Sequence, residues 1–452
     1  MGLFRQSHAD MTQGPIARQI IHFAVPMMIG LLFQQLYNAV DSIIVGQFVG
    51  KEALAAVGST ASIINTLVGF SAGLATGSSV VISQCYGAHD NKSLREAVHT
   101  TVGLTFILSV FFTLLGALLV EPLLRLMSTP EDVMAEAQTY LSIYFCGLTG
   151  LLFYNMGSGI LRAVGDSTRP LYFLCFSAVL NTVLDLLFVI VFHMGVAGVA
   201  YATILAQAIS AVLVMAVLTH DHAPYGIRWR ELRISVPMFK RIFSLGLPAG
   251  IQQAITAFSN VFVQSYVNHF GSACMAGWST YNRLDMFLFI PPQAIGMAAT
   301  TFVGQNYGAK QLARARRGVR HSLVTALCCT GALAVMMMLF ASTFIRFFTN
   351  EPDVMAYGVR FIYQISPFYL FTCFNQILAG ALRGIGNSKA PMIIMLASFV
   401  GIRQLYLFLV KLLGNSLTWI TMAYPVGWVA CALLLGICYL RSAILHTGEA
   451  QA

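Results

Sequence analysis

Long apolar stretches alternate with short polar segments along the whole chain, and this alternation predicts its structural elements. The stretches are long enough for α-helices that cross a bilayer, each of which needs about 20 apolar residues. Helices also satisfy their own backbone hydrogen bonds, as the hydrocarbon core requires. We therefore expect an all-α integral membrane protein with twelve transmembrane helices. The predicted spans are 16–47, 53–82, 97–120, 133–160, 170–192, 196–218, 240–269, 273–303, 321–345, 355–380, 390–412 and 418–440.

The composition agrees with this assignment and excludes several classes of protein. Hydrophobic residues make up 57% of the 452 residues and charged residues only 10%, whereas a soluble domain is about 25% charged. A soluble protein of this composition would expose large apolar patches and aggregate. The nine cysteines lie mostly inside predicted spans and show no CxxC spacing, so we expect neither a disulfide framework nor a zinc site.

The positive charges report the topology of the chain. The formal net charge is +9, and 19 of the 26 Lys and Arg residues fall on one side of the predicted membrane, against five on the other. By the positive-inside rule the richer side is cytoplasmic, and both termini lie on that side. The basic character therefore indicates membrane orientation, and we expect no nucleic-acid partner.

The chain contains an internal repeat. When the sequence is shifted by 221 residues, Gln84–Ala88 aligns with Gln305–Ala309, and Leu161–Pro170 aligns with Leu382–Pro391. Agreement at separate places under a single shift indicates a duplicated fold. A shift of 222 residues also pairs Pro26 with Pro248 and Asn38 with Asn260.

The repeat predicts two lobes. Each half holds six predicted spans, so both halves enter the membrane in the same orientation, as a parallel repeat with a candidate cavity between the lobes. We predict an N-terminal lobe over 1–218, a basic cytoplasmic linker over 219–239 and a C-terminal lobe over 240–452. Two rocking lobes are typical of transporters, whereas channels more often assemble from several chains and membrane enzymes need no such duplication.

Three acidic residues lie well inside the predicted spans, namely Asp41, Asp185 and Asp285. A charged side chain at the bilayer centre costs about 2.5–3.5 kcal/mol on insertion scales, so each one requires an explanation. Two of the three fall in the N-terminal half, where spacings of three and four place polar residues on common helix faces. The polar residues of this half are Gln34, Asn38, Asn155, Asn181, Thr203 and Gln207.

This combination of carboxylates, amides and a hydroxyl suits a proton or a cation. Two neighbouring carboxylates in a low dielectric cannot both stay ionised at low cost, so one should hold a proton. Hard oxygen donors of this kind also suit Na⁺, and a purely structural hydrogen-bonded network is the alternative. We predict a coupling site for H⁺ or Na⁺ at Asp41, Asn155, Asn181, Asp185 and Thr203, with no other cofactor.

The C-terminal half does not repeat this site. Its first helix keeps polar residues at Gln253 and Asn260, but the equivalents of Asn181 and Asp185 are Ile402 and Tyr406. Arg403 lies nearby, and it could pair with Asp285 or contact a substrate. The cation site is therefore expected in the N-terminal lobe alone.

Other motifs point to packing and bending. Neither a GxxxxGK[ST] phosphate loop nor an HExxH metal motif occurs in the sequence, and we expect no enzyme. The glycine-rich stretch Gly69–Gly77 indicates close helix packing. Pro26 and Pro248 each remove a backbone hydrogen bond early in a predicted helix and permit a kink, which makes Pro26 a candidate hinge.

At this point the chain resembles the multidrug and toxic compound extrusion (MATE) transporters. The resemblance covers nearly the whole chain and is carried by the two six-helix halves, the segment Gln-Leu-Tyr-Asn-Ala-Val-Asp41, and the paired Leu-Arg-x-x-Gly-(Asp/Asn)-Ser segments at 161 and 382. The chain is most similar to the bacterial DinF-like and related branch. Members of that branch carry a helix-one Asp and an Asn-x-x-x-Asp on helix five, matched here by Asp41 and by Asn181 with Asp185.

The resemblance implies a V-shaped cleft between the lobes, residence in the bacterial cytoplasmic membrane and function as a monomer. It also implies export of cationic or amphipathic organic compounds in exchange for H⁺ or Na⁺, with Thr203 as a partner of the acids and bending of the first helix at Pro26. A lipid or lipid-linked oligosaccharide flippase of the same superfamily is the alternative. The candidate residues of the substrate cavity are Gln34, Tyr37, Asn38, Gln207, Gln253, Asn260, Asp285 and Arg403.

Overall fold

The computed structural model describes residues 10–127, 129–220, 223–414 and 416–442, and these ranges are helical apart from short turns and connections. Twelve helical segments follow one another and match the predicted spans one to one. Within the described ranges, ten segments are long and apolar enough to cross a membrane. The prediction of an all-α membrane protein is confirmed.

The helices are numbered α1 to α12 in chain order, and three of them include a short wide turn of π-helix. Two others, α4 and α9, consist of two pieces each. Their bounds are α1 Ile16–Val49, α2 Lys51–Gly87, α3 Asn91–Leu126, α4 Glu131–Cys146 with Leu148–Ala163, α5 Thr168–Val191, α6 Gly195–His220, α7 Val236–Asn268, α8 Ser272–Gly308, α9 Leu312–Leu339 with Ala341–Arg346, α10 Pro352–Gly384, α11 Lys389–Leu413 and α12 Leu417–Leu440.

The repeated Leu-Arg-x-x-Gly segments end α4 and α10 in the same way. Gly165 and Gly386 have φ angles of +92° and +91°, a left-handed conformation that glycine adopts without strain. The next residue then caps the following helix, because Asp166 Oδ1 accepts a hydrogen bond of 3.1 Å from the backbone N–H of Arg169. Asn387 accepts the equivalent bond at 3.1 Å. The motif thus specifies a tight turn between two helices in each half.

The chain forms two compact units. The first unit contains Ile29–Gly250, and the second contains Met11–Met28 together with the described residues from Ile251 onward. The start of α1 therefore belongs to the second unit, and the start of α7 belongs to the first. Both helices change unit two residues after a proline, Pro26 in α1 and Pro248 in α7.

These boundaries do not coincide with the predicted lobes over 1–218 and 240–452, because side chains fix each helix start to the unit that contains it. In the second unit, the backbone N–H of Met11 donates to Gln305 Oε1 at 3.0 Å, and its carbonyl accepts from Arg314 Nε at 3.1 Å. In the first unit, Arg241 of α7 donates to Gln84 Oε1 at 2.5 Å. The two glutamines are equivalent in the repeat, so the same corner holds a helix start in both units.

The described part of the predicted linker packs against α3 in the first unit. Tyr225 and Ile227 are 1% and 3% exposed. The ring of His99 bridges this segment, since its Nδ1 lies 3.1 Å from the carbonyl oxygen of Glu231 and its Nε2 accepts from the backbone N–H of Arg228 at 3.3 Å. Residues 223–235 therefore form an ordered part of the unit.

Two glycines of α2 permit direct backbone contact with α7 inside the first unit. A methyl group at Gly77 would lie 2.8 Å from the carbonyl oxygen of Ile242 and closer still to the backbone of Gly246. A methyl group at Gly73 would meet the backbone of Gly250. Small residues spaced four apart on both helices let membrane helices approach closely. The close packing predicted for Gly69–Gly77 is confirmed.

The same stretch of α2 also spells the hydrolase pattern Gly-x-Ser-x-Gly around Ser71. In hydrolases that serine occupies a sharp turn between a strand and a helix. Here Ser71 lies inside α2 and donates to the carbonyl oxygen of Leu67, one turn back, at 2.8 Å. The pattern is therefore a feature of helix packing in this chain.

Candidate functional site

Asp41 of α1 and Asp185 of α5 meet inside the first unit. Their carboxyl groups are close enough to share a hydrogen bond when one of them carries a proton. Asp185 is fully buried and Asp41 is partly buried. Both oxygens of Asp185 and Oδ1 of Asp41 are buried without a hydrogen-bond partner among the described residues. Two ionised carboxylates about 4 Å apart would repel by about 4 kcal/mol at an effective dielectric of about 20, so the pair favours a bound proton or cation.

Asn181 and Thr203 add polar groups beside this pair. Asn181 lies one turn before Asp185 on the same face of α5, and it is 0% exposed. A hydrogen bond of 2.9 Å from Ser177 Oγ to the carbonyl oxygen of Ala206 joins α5 to α6 and brings Thr203 to a similar level. The polar side-chain atoms of Asn181 and Thr203 have no hydrogen-bond partner among the described residues, which is costly for buried groups and leaves them available to a ligand.

Three tyrosines complete the polar group. Tyr37 lies one turn before Asp41 and beside the hydroxyl of Thr203. Tyr140 of α4 lies next to Thr203 and to both aspartates, while Tyr144 neighbours Gln207 of α6. The sequence analysis missed Tyr140 and Tyr144, although their spacing of four places them on one face of α4. Their rings stack with centroids 6.5 Å apart.

Glycines bring α4 against α6 at the level of these tyrosines. A methyl group at Gly150 would lie 2.8 Å from the backbone nitrogen of Ala208, and one at Gly147 would overlap the side chain of Ile204. Because the two backbones approach so closely, Tyr140 and Tyr144 reach the polar side chains of α6. The break of α4 at Gly147 follows from the same contact.

Apolar residues close one end of the polar group. Ile44, Val45, Val189, Val196 and Val199 form a buried cluster with Tyr140 from α1, α4, α5 and α6. The end of α1 and the end of α5 both widen into π-helix here, over Val45–Val49 and Leu187–Val191. Such wide turns are frequent at functional sites. The cluster excludes water from this side of the carboxyl pair.

Other predicted residues of the first unit lie further from the carboxyl pair. Asn38 is exposed and Gln34 is half-buried on α1. Asn155 lies beyond Gly150 on α4, more than one turn away from the level of Thr203, and its buried Nδ2 has no hydrogen-bond partner among the described residues. The role predicted for Asn155 stays a prediction.

The remaining predicted residues lie in the second unit. Asp285 accepts hydrogen bonds at Oδ1 from the hydroxyl groups of Tyr281, at 2.6 Å, and Tyr369. Arg403 binds neutral groups of α7 instead of Asp285, so the pair considered from the sequence is not formed among the described residues. Gln253 lies exposed on α7. The carboxyl pair is therefore a feature of the first unit.

Comparison with known proteins identifies a family along most of the chain. The family model described as MatE matches twice, over residues 26–187 and 248–409. The two matches begin 222 residues apart, which confirms the internal repeat. Each match contains the helices that correspond to α1–α5 in its half.

Individual relatives agree with this result. The probable multidrug resistance protein YpnP of Bacillus subtilis (strain 168) is 35% identical, over 86% of this chain and 87% of the relative. The probable multidrug resistance protein NorM of Thermotoga maritima is 25% identical, over 85% of this chain and 83% of the relative. A solved structure of a multidrug resistance MATE family transporter in an outward-facing conformation shares the fold, with a TM-score of 0.89, 24% identity and coverage of 96% of this chain and 97% of that chain.

Proposed function

The chain belongs to the MatE family of multidrug and toxic compound extrusion transporters, and from this premise we propose that it exports organic compounds by antiport with H⁺ or Na⁺. It is a multi-pass membrane transporter and not an enzyme. The proposal places it in the bacterial cytoplasmic membrane as a functional monomer, with both termini in the cytoplasm. The orientation is supported by the 19 Lys and Arg residues on the predicted cytoplasmic side.

The observation that carries the proposal is the buried pair of Asp41 and Asp185. Two acids in contact within a membrane are expensive unless they exchange a positive charge during function. Asn181, Thr203 and Tyr140 surround the pair with amide and hydroxyl groups. These oxygens can assist either a shared proton or a Na⁺ ion, because hard cations take oxygen ligands.

Coupling would work through α1. A proton or Na⁺ that enters the site neutralises the pair and changes the contacts of Asp41 with Tyr37 and Asp185. The same helix carries Pro26, two residues before the boundary between its two parts at Met28. A bend there would transmit the occupancy of the site to the start of α1. The cavity residues predicted for the substrate are Gln34, Tyr37, Asn38, Gln207, Gln253, Asn260, Asp285 and Arg403.

The available energy is sufficient for useful export. One elementary charge that moves through 100 mV supplies about 2.3 kcal/mol. Since 1.4 kcal/mol corresponds to a tenfold ratio, one coupled charge supports a substrate gradient of roughly fifty-fold. Two exchanged charges would square that ratio.

The test compares wild type with Asp41→Asn and Asp185→Asn in liposomes under separate H⁺ and Na⁺ gradients. Both variants should lose uphill export of a fluorescent organic cation, because a neutral amide cannot exchange a proton and binds Na⁺ weakly. The gradient that drives wild type identifies the coupling ion. Asp353→Asn is the matched control, since Asp353 is an exposed acid in the first turn of α10 and its loss should leave export intact.

Two results would contradict the proposal. Full gradient-driven export by Asp41→Asn would remove the coupling site from the first unit. Scrambling of a labelled lipid by wild type, without export of any soluble organic compound, would instead identify a flippase.

A further inference from the structure

Arg403 occupies the place in the second unit that Asn181 occupies in the first. In α5 the buried residues Ser177 and Asn181 lie four positions apart, whereas in α11 the buried residues Ser398 and Arg403 lie five apart. The π-helical stretch Ala397–Ile402 lies between the latter two. A π turn places residues five apart on the same face, so α11 gains one residue relative to α5.

Exposure supports this shift of one residue. Ile402, the counterpart of Asn181 by simple alignment, is 36% exposed, whereas Arg403 is 3% exposed. Leu407 continues the buried face of Arg403 and is 0% exposed, as Asp185 continues that of Asn181. The alignment that paired Ile402 with Asn181 is therefore wrong by one residue. The duplicated fold carries a cation here in place of the polar and acidic residues of the first unit.

The partners of Arg403 are neutral. Its Nη2 donates to Ser259 Oγ at 2.6 Å and its Nη1 donates to Asn260 Oδ1 at 3.0 Å. The guanidinium carbon lies 5.0 Å from the ring centroid of Tyr424. Its Nε is buried and has no hydrogen-bond partner among the described residues. Within that part of the chain, no carboxylate forms an ion pair with Arg403.

The serine is itself held in place by the wide turn of α11. Ser259 Oγ donates to the carbonyl oxygen of Phe399 at 3.0 Å, and Gln404 Nε2 donates back to Ser259 Oγ at 3.2 Å. The guanidinium therefore sits in a built polar site on two helices. Asn260, the other partner, is exposed, so its amide is the group that a ligand can displace.

A buried cation without a counter-ion is costly. Guanidinium groups bind carboxylates through two parallel hydrogen bonds, and such charge-assisted bonds are the strong ones. We propose that Arg403 is a binding site for the carboxylate of an amphipathic organic substrate, or for a free anion of the same charge. This inference rests on the proposed function, since it defines a substrate class for the exporter. It adds carboxylate-bearing compounds to the cations expected from Asp41 and Asp185.

The test titrates purified protein with dansyl-lysine and with its methyl ester, which differ only in the free carboxylate. Wild type should bind the acid more tightly than the ester. Arg403→Gln should weaken binding of the acid about tenfold or more, as expected for hydrogen bonds to charged groups, and leave the ester unchanged. Arg403→Lys should retain part of the preference, because the positive charge remains. An Arg403-dependent competition by excess chloride would assign the site to a free anion.

Arg283→Gln is the matched control. Arg283 is an exposed arginine of α8 whose guanidinium lies 6.0 Å from the ring centroid of Phe348. Its loss should not change the ratio of the two affinities. Equal binding of acid and ester by wild type, absence of acid binding, or an unchanged ratio in Arg403→Gln would overturn the inference. Failure of coupled export with a retained preference for the acid would instead count against the proposed function alone.

Discussion

Gly77 offers a sharp test of how the first unit is packed. In Gly77→Ala the new methyl group would lie 2.8 Å from the carbonyl oxygen of Ile242 and closer to the backbone of Gly246. Carbon contacts normally lie at about 3.5–4.0 Å, so α2 and α7 must separate by roughly 1 Å. Overpacking of this kind costs about 1–3 kcal/mol. Because the contact atoms are backbone, rotation of a side chain cannot relieve the clash.

Gly58→Ala is the control on the same helix, since a methyl group there meets nothing within 4 Å. Both substitutions gain about 0.5–1 kcal/mol of helix propensity, so the difference between them isolates the clash. We expect Gly77→Ala to be less stable than Gly58→Ala by about 2 kcal/mol. For a unit of this size that difference lowers the apparent Tm by about 4–8 °C.

Thermal unfolding in detergent, followed by size-exclusion chromatography of the fluorescently tagged protein, measures the difference. The double variant Gly77→Ala with Gly246→Ala should cost less than the sum of its parts, because the helices are already separated. Equal Tm values for Gly77→Ala and Gly58→Ala would refute the close contact.

Two further predictions concern helix starts. Arg314→Gln should raise hydrogen exchange in residues 11–19, because Arg314 donates to the carbonyl oxygens of Met11, Gln13 and Gly14 at 3.1, 2.9 and 2.8 Å; unchanged exchange would contradict this anchor. The carboxylate of Asp90 accepts from the side chain and backbone of Ser93, and these bonds hold the pKa of Asp90 below its usual range. The cap of α3 should therefore keep full strength above about pH 4 and weaken as the pH falls further, as measured by hydrogen exchange of the first turn. Asp90→Asn, an equally good cap, should show no such dependence.

The sequence was sufficient for the helices and for the acidic pair. Apolar length predicts the spans, and helix periodicity puts Asn181 and Asp185 on one face. The scarcity of charge makes Asp41 and Asp185 conspicuous in one half. Their encounter in the first unit follows from these features together with the repeat.

Other parts of the site depend on information that periodicity lacks. Tyr140 and Tyr144 reach Thr203 because Gly147 and Gly150 let α4 approach α6, and nothing in the spacing of the tyrosines predicts that approach. Asn38 shares the predicted stripe with Asp41 but is exposed, since burial depends on which neighbouring helices cover the stripe.

The register of α11 is a clearer case. A prediction from 3.6 residues per turn assigns Ile402 to the buried face, because it assumes a regular α-helix. The π turn before Arg403 adds one residue to the turn and changes which side chain is buried. Only coordinates reveal that shift, and it determines the charge of the buried position in the second unit.

The division of α1 between the two units has a consequence for the synthesis of the chain. The carbonyl of Met11 accepts its hydrogen bond from Arg314, which follows 303 residues later. At about 5–20 residues per second, the ribosome needs about 15–60 s to supply that partner. The first residues to enter the membrane are therefore among the last to reach their final contacts, and the start of α1 must remain available until most of the protein has been made.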